Sequence, residues 1–171
     1  MIRENLTAFL QEQGANRTRH SGRTLYKHLV GTHDLLREWG CDEDVCVAGL
    51  YHSIYGTQRF RHSSWPLGHR DTIRSLIGRG SEYLVYLFCV INRPKVLVNG
   101  KQEDDGSLVT HDFHTKRNIW ISRYTLKDLR EIEAANLLEQ KSYSPVPGKL
   151  LLEDIREAAK SAIRENRLEH A

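Results

Sequence analysis

The sequence contains few cysteines and prolines and no long apolar run. Its 171 residues include three cysteines and four prolines. So few cysteines, in an odd number, exclude a scaffold built on disulfides and predict free thiols in a reducing compartment. The longest apolar run, YLVYLFCVI at 83–91, is too short to cross a bilayer. We therefore expect a cytoplasmic protein that does not contact a membrane.

The net charge gives no indication of a macromolecular partner. The formal net charge is +3, and no block of lysine and arginine occurs. No basic stripe marks a nucleic-acid surface, so nucleic acid is not expected as a partner, whereas a small anionic substrate is compatible with this balance. Hydrophobic residues make up 39% and charged residues 27%, which is typical of a globular protein. The length fits one domain over 1–171, and the oligomeric state is left open.

Apolar periodicity predicts a mainly α-helical bundle. Asp42, Ser81 and Thr125 are candidate helix caps, and Gly14 and Gly40 are natural helix stops. Polar loops are predicted at 17–23 and 57–71, and a β-hairpin or irregular insert near 93–121. The predicted helices cover 2–13, 24–39, 42–55, 71–77, 81–92, 126–141 and a peripheral, charged terminal helix at 149–168.

Two histidines occupy consecutive predicted helices. His28 and His52 are separated by 24 residues, from 28 to 52, and two antiparallel helices joined by a short turn can bring such positions face to face. Imidazole nitrogen binds zinc, iron, manganese and cobalt. Gly49 lies one turn before His52 and would let a neighbouring helix approach closely. The pair is either half of a metal site or two core histidines with hydrogen-bond partners.

Three stretches carry a family resemblance. They are HSGRTLYKHLVGT, VCVAGLYHSIYGT and IEAANLLEQ, spread over 20–140. They resemble the HD-domain superfamily, and more narrowly a small, functionally uncharacterised bacterial group of HD-like proteins. The superfamily places a first histidine on one helix, a His-Asp pair on the next and a later aspartate on a further helix. The resemblance implies an HD-like helical bundle with His28 and His52 as metal ligands.

The chain departs from that pattern at both carboxylates. Ser53 follows His52 where the resemblance implies aspartate, and Asn136 occupies the position of the later aspartate. Both changes replace an anionic ligand by a neutral group, and this weakens the binding of a divalent cation. Neither a standard HD phosphohydrolase site nor a carboxylate-bridged di-iron site is therefore expected.

Other residues could compensate for the missing carboxylates. His20 lies eight residues before His28, and a His20, His28 and His52 set resembles a catalytic zinc site with an open position. Glu133 lies one turn before Asn136 and could act as a fourth ligand or, like His20, in acid–base catalysis. Arg23 could bind an anionic substrate bidentately. Ser53 and Asn136 are further substrate-binding candidates.

These candidates support functions of different classes. The first is an HD-like enzyme that uses iron, manganese or zinc to act on a small, anionic molecule, as a hydrolase or an iron oxygenase. The second is a metal-free module or pseudoenzyme that binds a small ligand in the same pocket, and the sequence supports the absence of a cofactor equally well. A third is a metal-free acid–base enzyme that uses His52 or His20.

Two literal His-Asp dipeptides do not fit the family spacing. His33-Asp34 and His111-Asp112 each lack a histidine 24 residues earlier. The first dipeptide is predicted on an exposed or partly exposed helix surface. The second, together with His114, is predicted in a solvated loop.

Overall fold

A computed structural model describes residues 2–57 and 60–141. This part of the chain is mainly helical and carries two small antiparallel hairpins, so the predicted helical class is confirmed. The predicted helix at 149–168, and the loop before it, lie outside the described residues. The helices are α1 (Glu4–Glu12), α2 (Leu25–Glu38), α3 (Glu43–Tyr51), α4 (Arg70–Ile77), α5 (Arg79–Val90), α6 (Lys95–Asn99) and α7 (Arg123–Lys141).

Helices α2, α3 and α7 form the centre of the fold, with α5 packed on α3. The α2–α3 contact is close because Gly49 has no side chain: a Cβ there would collide with Leu36 and would lie 3.6 Å from Thr32. The close approach predicted at Gly49 is thus confirmed. Leu36 and Leu50 are fully buried in this core.

The helix boundaries follow several of the predicted signals. Gly14 and Gly40 have φ angles of +83° and +77°, a region that glycine enters at little cost, and both follow helix ends. Asp42 precedes α3, although its side chain makes no capping hydrogen bond. Helix α3 ends at Tyr51, four residues before the predicted end near Tyr55, so His52 lies at the C-cap.

Two predicted caps were wrong. Helix α7 begins earlier than expected, and Ser122 Oγ accepts a hydrogen bond from the Thr125 backbone N–H at 3.1 Å. Helix α5 follows Gly78, and the Ser81 hydroxyl instead donates to Asp44 Oδ1 at 2.8 Å. In α7, the Ser122 side chain, three residues before Thr125, accepts the hydrogen bond at the first turn. In α5, the helix begins after Gly78, three residues before Ser81.

The polar stretch at 17–23, predicted as a loop, contains a short hairpin. Strands β1 (Arg19–His20) and β2 (Arg23–Thr24) are antiparallel, with His20 opposite Arg23. Ser21 and Gly22, with φ angles of 46° and 83°, form the two-residue turn. The hairpin leads directly into α2, where Thr24 Oγ1 accepts from the Lys27 N–H at 3.3 Å.

The predicted insert near 93–121 is a hairpin preceded by a short helix. Strands β3 (Leu108–His111) and β4 (Asn118–Ile121) are antiparallel, and Leu108 pairs with Ile121. Residues Lys95–Asn99 form α6, which was not expected. Within 2–57 and 60–141, no helix combines the length and the apolar character needed to cross a membrane.

Candidate functional site

The bundle brings His28 and His52 together, as the spacing predicted. His28 lies on α2 and His52 at the end of α3, and the two Nε2 atoms are 3.2 Å apart. The rings meet edge to face at a centroid distance of 5.0 Å. His28 is fully buried and His52 is 2% exposed. The juxtaposition lies in the interior of the described fold.

Each histidine uses its other nitrogen to donate a hydrogen bond. His52 Nδ1 lies 2.7 Å from the Gly49 carbonyl oxygen, which can only accept. His28 Nδ1 contacts Glu139 Oε2, and Arg23 contacts the other oxygen of that carboxylate. A carboxylate in contact with an arginine acts as an acceptor, so Nδ1 carries the hydrogen in both rings. In the neutral form, each Nε2 therefore carries no hydrogen and can act only as an acceptor.

The surroundings favour neutral imidazoles. Burial lowers the pKa of His52 to about 3, and the nearby charge of Arg93 adds to this lowering, while the Gly49 hydrogen bond opposes it. Burial likewise strongly lowers the pKa of His28, with contributions from His52 and His20. Two neutral rings with bare Nε2 atoms 3.2 Å apart cannot hydrogen-bond to one another, because both facing atoms are acceptors.

His20 lies against the pair but does not face the same point. Its ring stacks on His28 at 4.3 Å with an interplanar angle of 18°, and Phe60 packs edge-on against it at 4.8 Å. Lone pairs of stacked imidazoles lie in parallel planes and do not converge. Among residues 2–57 and 60–141, no group of three His, Cys, Asp or Glu side chains is arranged to hold a metal ion. The three-histidine set thus requires a different His20 rotamer.

A cavity of about 370 Å³ opens beside His52. Helix α7 lines it with Glu133, Asn136 and Gln140, which share one helix face. Asn136 Nδ2 donates to Glu133 Oε2 at 3.4 Å, and Gln140 Nε2 donates to Asn136 Oδ1 at 2.8 Å. His20 and Ser53 also line the cavity. Four predicted site residues, Glu133, Asn136, His20 and Ser53, therefore share one cavity with His52.

Arg93 and Glu139 are among the site residues that were not predicted. Arg93 lines the cavity, and its Nη1 donates to Glu133 Oε2 at 2.6 Å while its guanidinium lies 3.6 Å from the Phe88 ring centroid. Glu139 contacts His28 and Arg23. Glu139 lies three residues after Asn136, so helical spacing could have placed it on the site face. Arg93 has no comparable local signal.

Arg23 is held by a carboxylate at the base of the site. It follows the β1–β2 turn, opposite His20, and contacts Glu139. Glu139 reaches this position across Gly31, where a Cβ would lie 2.9 Å from its Oε1. The arginine predicted to bind an anionic substrate is therefore an ion-pair partner in this structure.

The two literal His-Asp dipeptides make contacts that do not involve this centre. His33 is 2% exposed, so its predicted place on an exposed or partly exposed helix surface was wrong, whereas Asp34 is exposed as predicted. His33 Nδ1 lies 2.9 Å from Asp34 Oδ1. Asp112 is also buried and accepts from the Tyr86 hydroxyl and the His114 backbone N–H, both at 2.7 Å. The Asp112 carboxylate thus stabilises the β3–β4 turn region.

Sequence comparison adds one finding. A family model described as a domain of unknown function (DUF6817) matches residues 9–93. This segment contains both facing histidines, the β1–β2 hairpin and Arg93, and it ends before the residues that α7 contributes. No curated protein and no solved structure matches the chain. The similarity thus assigns no activity, and the HD-like relationship stays a prediction.

Proposed function

We propose that the protein is an HD-like, metal-dependent enzyme that holds a divalent cation between His28 and His52. The observation that carries this proposal is the 3.2 Å separation of two Nε2 atoms whose rings both donate through Nδ1. Facing acceptor atoms at this distance repel one another unless a metal ion or a proton lies between them. Nitrogens bound to one zinc ion each lie about 2.0–2.1 Å from it, so a separation of this size fits a shared ion.

A shared proton is the competing explanation, and the surroundings disfavour it. Burial lowers the pKa of both rings, which opposes imidazolium formation. Glu139 at His28 and the Gly49 carbonyl at His52 resemble the outer acceptors that orient metal-bound histidines. These contacts support the proposal that His28 and His52 bind a metal ion as neutral imidazoles.

Further ligands would come from the cavity wall. The Asn136 side chain lies beside both histidines. It is neutral at the position where the family resemblance implies aspartate, so we expect weaker binding than in a site with two carboxylates. His20 and Glu133 are the predicted additional ligands, and His20 would have to leave its stack on His28.

The adjoining cavity is the proposed substrate site. A bound iron, manganese or zinc ion would supply a Lewis acid for hydrolysis, or an oxygen-binding centre if it is iron. Glu133 has one carboxylate oxygen, Oε1, that is buried and accepts no hydrogen bond within the described residues. We assign that atom as the proton acceptor, with His20 as the second acid–base candidate and Ser53 and Asn136 as substrate contacts. We keep the cytoplasm as the expected compartment.

Metal content tests the proposal. The full chain, purified without a histidine tag, should contain or rebind about one equivalent of zinc, manganese or iron. His28→Ala and His52→Ala should each lose it. His33→Ala is the matched control, because His33 is also buried on α2 but lies outside the site, and it should retain the metal. Binding that survives both site substitutions would contradict the proposal.

The second candidate is a metal-free module that binds a small ligand. It is favoured by the lack of three metal-binding side chains around one point within residues 2–57 and 60–141. It predicts that a ligand stabilises the chelator-treated protein, and that Glu133→Ala or Arg23→Ala removes this effect. A metal-free acid–base enzyme would instead show activity that depends on His52 or His20 after chelation.

A further inference from the structure

Two residues that line the cavity beside the histidine pair each carry a buried polar atom that lacks a hydrogen-bond partner within the described residues. Glu133 Oε1 and His20 Nδ1 are both inaccessible to solvent and both unsatisfied within the described part of the chain. Glu133 is 1% exposed, and both residues line the cavity. An unsatisfied buried polar atom is destabilising, because it has lost its hydrogen bonds to water without gaining others. A bound molecule that hydrogen-bonds to these atoms would remove that destabilisation.

The charges around the cavity are already balanced. Arg93 forms an ion pair with Glu133, and Arg23 forms one with Glu139. Among residues 2–57 and 60–141, Arg19 is the remaining cation that lines the cavity, and it is exposed, so its attraction for an anion is screened by water.

The unsatisfied oxygen of Glu133 selects the polar end of a ligand. A carboxylate oxygen accepts hydrogen bonds and cannot donate one, so it repels an anionic group placed against it. An N–H or O–H group would instead gain a charge-assisted hydrogen bond. Phe60 and Leu137 add apolar surface to the same cavity.

We infer that the cavity binds a small neutral molecule through an N–H or O–H donor directed at Glu133 Oε1, with a primary carboxamide as the simplest such group. The inference rests on the proposed function in that the cavity is the substrate site of that enzyme. It replaces the anionic substrate expected from the sequence, because both arginines of the site are held by carboxylates.

Benzamide and benzoate provide a matched pair of probes. They have nearly the same size and shape, but only benzamide is neutral and offers N–H donors. The full, chelator-treated protein is unfolded thermally in the presence of each probe. Millimolar benzamide should raise the unfolding temperature in a saturable way. The affinity for benzamide should be about tenfold or more above the affinity for benzoate. Equal or tighter binding of benzoate would overturn the inference, as would the absence of benzamide binding.

Substitutions on α7 locate the effect. Glu133→Gln should weaken benzamide binding by about tenfold, because it removes the charged acceptor. Glu131→Gln is the control: Glu131 is also a buried α7 carboxylate with an unsatisfied oxygen, but it does not line the cavity. Benzamide binding that is weakened equally by both substitutions contradicts the assignment. If Glu133→Gln fails to fold, the benzamide–benzoate comparison on the natural chain still decides the question.

The same experiments separate this inference from the metal proposal. If the chelator-treated chain binds benzamide and the untreated chain takes up no metal, the metal site is contradicted and the cavity for a neutral ligand is retained. Stoichiometric metal uptake without benzamide binding, in the metal-loaded or the chelated protein, would do the reverse.

Discussion

Two buried carboxylates, Glu82 and Glu133, show how a structural cluster differs from a candidate site. Glu82 is fully buried, and both its oxygens are satisfied: Oε1 accepts from the Tyr55 hydroxyl at 2.9 Å and Arg70 Nε at 2.6 Å, and Oε2 accepts from Arg70 Nη2 at 2.8 Å. Arg74 adds a longer contact at 3.4 Å. Every acceptor is satisfied within the protein, so the cluster needs no ligand.

Glu133 is almost equally buried but only half satisfied. Its Oε2 accepts from Arg93 and Asn136, whereas its Oε1 has no partner within residues 2–57 and 60–141. Native structures satisfy most buried polar atoms, so an exception points to an unmet partner. Glu82 therefore stabilises the fold, and Glu133 stabilises it less while remaining available to a ligand.

The largest expected effect comes from breaking the satisfied cluster. Glu82→Gln removes the charge that balances Arg70 and leaves a half-buried network with mismatched donors. We expect a loss of about 3 kcal/mol in the free energy of unfolding, measured by urea denaturation. Asp71→Asn is the control, because Asp71 is a 94% exposed partner of Arg74 and should cost less than about 0.5 kcal/mol. Equal losses in the two variants would contradict the contrast.

The second prediction concerns pH and the histidine pair. In the chelated protein, His52 stays neutral down to about pH 3, whereas an unfolded histidine takes up a proton near pH 6.5. Because the unfolded state binds more protons in that window, stability falls as the pH falls. Between pH 7 and 5, the natural chain should lose about 2 kcal/mol more than His52→Gln.

The comparison with His52→Gln also removes the contributions of other titrating groups to the pH dependence of stability, which oppose that of His52. Burial raises the pKa of Glu131 to about 7 and that of Asp128 to about 6, so these groups take up protons in the folded state and stabilise it as the pH falls. Both groups are present in both proteins, and their effect cancels. A natural chain that instead gains stability relative to the variant would indicate a protonated histidine pair.

A substitution at Gly31 tests whether Glu139 is fixed in contact with His28 and Arg23. Alanine in a helix interior is ordinarily stabilising by up to about 1 kcal/mol relative to glycine. At Gly31, however, a Cβ would lie 2.9 Å from Glu139 Oε1 and displace a carboxylate that holds His28 and Arg23. We expect Gly31→Ala to cost about 1–2 kcal/mol in thermal or urea unfolding.

Gly68→Ala is the matched control for that substitution. No atom lies within 4 Å of the position a Gly68 Cβ would take, so we expect a change within about 0.5 kcal/mol. A stabilising Gly31→Ala substitution would show that Glu139 is not fixed in the site.

Glu133→Gln should cost less than Glu82→Gln. It removes the charge that balances Arg93, whose side chain is 10% exposed, but it retains an amide oxygen that can accept from this arginine. We expect a loss of about 1–2 kcal/mol in urea unfolding, below that of Glu82→Gln, because only one Glu133 oxygen is satisfied within the described residues. A loss as large as the one at Glu82 would make Glu133 a structural residue and weaken its assignment to the site.

The sequence was most informative where the interactions are local. Helical spacing predicted the apolar helices, and the joint placement of His28 and His52 followed from two helices linked by a short turn. Gly49 could be assigned a packing role because a helix face is set by positions three and four apart. The β1–β2 hairpin was missed because its turn is Ser-Gly within a polar stretch that lacks strand-like alternation.

The parts of the site that the sequence did not predict depend on contacts between residues that are far apart in the chain. Glu139 meets His28 across 111 residues, and Arg93 meets Glu133 across 40. No periodicity within one helix reports which carboxylate will neutralise which arginine. For that reason the sequence assigned Arg23 to an anionic substrate, whereas the folded chain pairs it with Glu139.

The most direct test of the central claim is the protonation state of the two facing nitrogens. Nitrogen-15 NMR of the histidine side chains, in chelated protein near pH 7, should show hydrogen on Nδ1 and a bare Nε2 in both His28 and His52. One equivalent of zinc should then shift both Nε2 signals together and leave His33 unchanged. A proton on either facing Nε2, or zinc addition without a change at these atoms, would contradict a cation site between His28 and His52.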